Sequence, residues 1–131
     1  MIQAMSNRER LQQHALRVVH RPVSKQRILM AVSSEFRIAE QTLLSGSSAD
    51  AVVVPRSVAH IFMMMLEGYT LERVGRELGG KNYSTVIHGL KAVVREYDVN
   101  VVFRKRLERI REQMAISTES FQSHINRWRR A

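Results

Sequence analysis

Apolar residues recur at helical spacing along the whole chain, and punctuation residues cut that pattern into short helices. Leu11, Ala15, Val18 and Val19 fall on one stripe, which Pro22 ends. Ser24 can cap a second helix, with its stripe at Ile28, Leu29, Val32 and Phe36. A short piece over residues 39–44 runs into "SGSSAD" at 45–50, the clearest loop in the chain. The "VVVPR" that follows has strand composition. A lone apolar run has no strand to pair with, however, and Pro55 is suited to open a helix. That helix should bury Val58, Ile61, Phe62, Met65 and Leu66, which are spaced i, i+3, i+4, i+7 and i+8. Its run of methionines, Met63 to Met65, reads as adaptable core filler rather than a cofactor box.

The most informative stretch is "VGRELGGKNYSTVIHGLKAV", residues 74–93. Thr70 precedes Leu71, Val74 and Leu78, predicting a short helix capped by Thr70. Gly79 and Gly80 stop it, because glycine takes the left-handed backbone without penalty. Asn82 or Ser84 can cap the next helix, whose inward stripe is Val86, Leu90, Val93 and Val94. Short helix, tight glycine turn and second helix make a helix-turn-helix layout. Two further stripes follow, Phe103, Leu107, Ile110 and Met114, then Phe121, Ile125 and Trp128. The expected class is therefore all-α, a compact helical domain containing a helix-turn-helix. Its parts are a basic N-terminal helix over 1–23, the helix-turn-helix domain over 24–97, and a basic C-terminal helical extension over 98–131.

Charge sharpens this picture. The chain has a formal net charge of +9 and a pI near 11.0. Residues 1–30 and 99–131 carry +5 each, whereas 31–98 carry −1. Such an excess suits a polyanion partner, since Lys and Arg gain by releasing counterions from phosphate. Simple solubility is the alternative. Around the stripe that begins at Phe103 stand Arg104, Lys105, Arg106, Arg109 and Arg111. They read either as the solvated face of a docked helix or as a phosphate clamp or partner-binding helix. The segment ending in Arg127, Arg129 and Arg130 reads as a docking or dimerising segment, with a homodimer as one outcome, or as a phosphate-contacting arm.

Other chemistries find little support. Without cysteine there is no disulfide framework, thiolate metal site or cysteine nucleophile. His14, His20, His60, His88 and His124 form no HExxH pair, and there is no GxSxG and no phosphate-cradling glycine loop. No enzyme, metal or cofactor is expected. The longest apolar runs are far too short to cross a bilayer, and the N-terminus lacks a signal-like apolar run. The expectation is a cytoplasmic, nucleoid-associated protein with no membrane partner.

The buried stripe of the second helix leaves Lys81, Asn82, Tyr83, Ser84, Thr85, His88 and Lys91 outside or at its start, where a recognition helix meets base edges. Polar residues at a helix start also serve capping alone. The segment resembles the C-terminal DNA-binding domain of the bacterial chromosomal replication initiator DnaA, whose signature is Gly-Gly-Arg-Asp-His-Thr-Thr-Val-x-His. It agrees at Gly75, Gly79, Gly80, Thr85, Val86 and His88, with Lys81 for Arg and Ser84 for Thr. The likeness covers residues 24–97 and includes the helix over 25–36, Leu43 with Leu44, and Pro55 with Arg56.

The resemblance implies a helix-turn-helix that binds double-stranded DNA. Asn82, Tyr83, Ser84 and Thr85 would read bases, while Lys81, His88, Lys91, Arg56, Arg73 and Arg76 would hold phosphates. Three departures stand out. Asn82 and Tyr83 replace Asp-His, and Asn prefers the donor and acceptor pair of adenine. "GSSADAVVV" replaces a loop that in the family is basic and sends an arginine into the minor groove. The family's ATPase domain has no counterpart, because the chain lacks a Walker A motif. Two roles follow: a sequence-specific regulator of replication initiation or transcription, or a module of the replication machinery that kept the fold and lost DNA reading.

Overall fold

Residues 6–10 and 23–130 are described by the structure, a computed structural model. Except for a helical turn at residues 7–10, the N-terminal helix expected over 1–23 lies outside the described residues. Seven helices follow, α1 (Lys25–Phe36), α2 (Glu40–Leu44), α3 (Asp50–Met63), α4 (Leu71–Glu77), α5 (Tyr83–Val99), α6 (Val101–Gln113) and α7 (Thr118–Arg130). There is no strand among the described residues.

Local chemistry sets most boundaries. Ser24 and Thr70 cap α1 and α4 by accepting from the backbone N–H of Arg27 and Arg73. Asn100 caps α6 through Phe103 N–H at 3.1 Å, breaking what would otherwise be one helix from Tyr83 to Gln113.

The start of α3 corrects the expectation at Pro55. The helix begins at Asp50, the loop is confined to 45–49, and Pro55 lies inside as the sixth helical residue. Asp50 in the first turn favours the dipole, and Val52 is buried, so the β-branched run is recruited into helix. At the other end α3 stops at Met63. Met65 and Leu66 lie beyond it, half-buried, and Met63 is fully buried instead.

One core runs through all seven helices, with the short α2 contributing Leu43 alone. Phe62 of α3 stacks on Phe121 of α7 with ring centroids 5.6 Å apart, and Tyr97 of α5 meets Phe121 edge-on at 5.8 Å. Phe36 and Phe103 join α1 to α6 at 6.2 Å. The expected boundary at 97/98 therefore cuts α5 and divides a continuous core. Phe121, Ile125 and Trp128, on the segment read as docking, dimerising or phosphate-contacting, are buried in the same core, which is the docking alternative.

Because Phe121 is fully buried against two aromatic rings, Phe121→Ala should cost about 3–5 kcal/mol in urea unfolding. A loss below about 1 kcal/mol would show that α7 does not complete the core.

Candidate nucleic-acid interface

Two close approaches set the helix-turn-helix. A methyl group on Gly75 would lie 2.2 Å from the carbonyl oxygen of Lys81, whose N–H donates to Gly75 O at 2.9 Å. Here α4 and the start of α5 meet backbone to backbone, which only glycine permits. Leu78 then turns into the core, and Gly79 and Gly80 take φ of 92° and 61°. A side chain on Gly79 would also strike the Arg56 stem at 2.6 Å.

Arg56, expected on phosphate, is 2% exposed. Its guanidinium donates to the carbonyls of Leu43, Ser45 and Ser47 at 3.0, 2.5 and 2.7 Å. It fixes the neutral loop against the turn and cannot face solvent, so its expected role is corrected to positioning. One turn later His60 bonds Leu78 O through Nε2 at 2.9 Å. A carbonyl only accepts, so Nε2 carries the proton, while Nδ1 is buried without a partner. Burial, reinforced by the nearby Arg56 charge, pushes His60 down to about 4. In the sequence His60 belongs to no metal or catalytic motif. Its i+4 spacing from Arg56 was the available signal.

The remaining expected residues divide into two groups. Tyr83, Ser84, Thr85 and His88 are exposed on α5, with Lys91 half-buried. Ser84, His88, Lys91 and Arg95 form an i, i+4, i+7, i+11 stripe opposite the buried Val86, Leu90, Val93, Val94 and Tyr97. Arg95 was missed, although this spacing was legible. Asn82 resolves the capping alternatives, since its Oδ1 accepts from Thr85 N–H at 2.9 Å. The acceptor needed for a two-point adenine contact is thus engaged, and the amide donors remain. Lys81 reaches Gly46 O and Ser48 Oγ at 3.0 and 3.4 Å, joining the loop to the reading end of α5.

On α4, Arg76 is exposed, whereas Arg73 sits 3.8 Å over the Tyr69 ring and pairs with Glu77 at 2.5 Å. That bond holds the Glu77 carboxyl below its ordinary range. Among the described residues, no cluster of three or more His, Asp or Glu side chains is placed to hold a metal ion, and no helix is long and apolar enough to cross a membrane.

Residues 25–93 match the family described as the bacterial dnaA protein helix-turn-helix. The chain belongs to this family. The DnaA helix-turn-helix is a DNA-binding module rather than a catalytic one. The chromosomal replication initiator protein DnaA of Porphyromonas gingivalis is 29% identical over 107 residues, 82% of this chain and 23% of that protein. Those of Citrifermentans bemidjiense and Bartonella quintana are 29% and 35% identical over 72% and 50% of the chain, and 20% and 13% of their own lengths. The chain thus spans less than a quarter of each of these three relatives.

Two outcomes follow from the site's construction. Asn82→Ala should lower stability by about 1 kcal/mol through loss of the cap, while Asn82→Asp keeps the cap and the melting temperature. Equal melting temperatures for Asn82→Ala and wild type would remove the capping role. For His60 the folded group binds its proton more weakly than the unfolded one. Its contribution is therefore complete above pH 6.5 and is lost as pH falls to about 4, by about 3 kcal/mol. His60→Gln should flatten the stability profile across that window, and parallel profiles would show that His60 is not held neutral.

Proposed function

We propose that the protein is a sequence-specific double-stranded DNA-binding regulator of replication initiation or transcription, placing the start of α5 in the major groove. The observation that carries this reading is the polar stripe on α5, locked outward because the opposite side of the helix is core. From Ser84 to Arg95 the stripe runs about 16 Å along the helix, more than the ~12 Å width of the major groove. Its first turn can therefore meet bases while its far end reaches the phosphate rim.

Tyr83, Ser84 and Thr85 read base edges in this arrangement, and the free amide of Asn82 donates to N7, O6 or O4 acceptors. Lys81, His88, Lys91, Arg76 and the partly engaged Arg73 hold phosphates, and Arg95 joins them. Sites recognised by replication initiators are the natural targets, where the protein competes with or assists an initiator.

A second reading, an interaction module of the replication machinery, draws on one feature. Val53 and Val54 are 36% and 44% exposed beside α5 and line an apolar groove of about 410 Å³ with Ala92 and Phe103.

Fluorescence anisotropy with an initiator-box duplex and a scrambled duplex separates the two. Ser84→Ala and Thr85→Ala should each cost about 1–3 kcal/mol on the preferred duplex and little on the scrambled one. Equal, weak binding of all duplexes by wild type, abolished by salt, would discard base reading and leave the interaction module.

A further inference from the structure

We infer that the cleft between the C-terminal end of α1 and the middle of α6 is a second phosphate-binding site, which grips the backbone of duplex DNA. The cleft has a volume of about 560 Å³ and is lined by Ser34, Glu35, Phe36, Arg37, Arg106 and Arg109. It shares no residue with the reading stripe of α5.

Three arginines face one carboxylate there. Glu35 is already engaged, its Oε1 accepting from Arg109 Nε and Nη2 at 2.9 and 2.5 Å. Arg106 rests on the Phe36 ring, 5.2 Å from its centroid, and that contact fixes the guanidinium while leaving its charge uncompensated. Arg37 is exposed and has no carboxylate partner among the described residues. The cleft therefore keeps two net positive charges.

The backbone at Arg37 sets where its side chain leaves α1. This residue ends α1 with φ 53° and ψ 50°, and the N–H of Ile38 closes the turn on Ser33 O at 3.1 Å. Glycine is the unstrained residue at such a helix end, and any residue with a Cβ there carries a conformational cost. Ala115 ends α6 with the same left-handed backbone, so the turn is a helix stop in both places, and at Arg37 it places a cation on the cleft. Guanidinium forks match phosphate oxygens, and the almost wholly polar lining offers a peptide's apolar side chain no seat.

The inference rests on the DNA-binding reading above, and Arg37→Gly separates the two. Removing the strain should raise the melting temperature, while affinity for a duplex at about 0.1 M salt falls several-fold. The slope of log K against log salt should shrink by about one, as expected for one lost phosphate contact. Arg37→Gly with Arg106→Gln should shrink it by about two, with the preference for the initiator box over the scrambled duplex unchanged. An unchanged slope in both variants, with wild type binding normally, would overturn the cleft and leave the α5 reading intact. Pyrophosphate, followed through the arginine Nε–H resonances, tests the cleft without DNA. Shifts at Arg37 and Arg106 with unaltered duplex slopes would assign the cleft to a small phosphate ligand and overturn the duplex assignment.

Discussion

The geometry of the interface depends on one buried cation. Among the described residues, Arg56 has no carboxylate partner. Its charge is satisfied by three carbonyl oxygens, that of Leu43 at the end of α2 and those of Ser45 and Ser47 in the loop that follows. Burying a guanidinium is expensive, and several charge-assisted bonds are needed to offset it. Removing the side chain would leave those carbonyls without their donor and open space against Gly79. One turn along α3, His60 holds Leu78 at the end of α4. The same side of α3 thus fixes the loop before it and the turn after it, and α5 starts where those two constraints place it.

Helical periodicity made most of the fold legible, because each buried stripe is continuous at i, i+3 and i+4. The caps at Ser24, Thr70 and Asn82 were legible for a similar reason, since each bond is made within three residues. What failed depended on distant partners. Arg56 looks like any basic residue beside a proline, and only the return of the 43–47 segment shows where its donors go. Pro55 is compatible with opening a helix, yet burial of Val52 draws the start back to Asp50. The positions of Ser84, Thr85 and His88 on one outward side followed from spacing alone. The loss of Asn82's acceptor to its cap did not, because capping and base reading ask for the same atom.

Net charge described the ends of the chain less well. Arg104 donates to the carbonyls of Tyr97 and Asp98, and Arg111 pairs with Glu108 and reaches Ile116 O. Arg129 binds Asp98, whose carboxyl it holds below the ordinary range, and Arg127 lies over the Trp128 ring at 4.7 Å. Many of the cations of α6 and α7 thereby attach these helices to the core or to each other. A count of lysines and arginines cannot separate such residues from those held open for a ligand, since both contribute equally to pI.

The neutral loop gives the open cations their significance. Binding to a duplex draws much of its strength from phosphate contacts, each of which adds about 0.9 to the salt slope. The segment 45–54 supplies none, and Val53 and Val54 present apolar surface beside α5. Arg56 cannot swing out to compensate without abandoning the carbonyls that shape the turn. Lys81 reaches toward phosphate only while sharing its donors with Gly46 and Ser48. In the proposed reading, the phosphate contacts fall to Lys81, Arg73 and Arg76, to the α5 stripe from His88 to Arg95, and to cations outside the helix-turn-helix. Arg37 and Arg106 line the cleft between α1 and α6 with no carboxylate partner among the described residues, which leaves them available for that role.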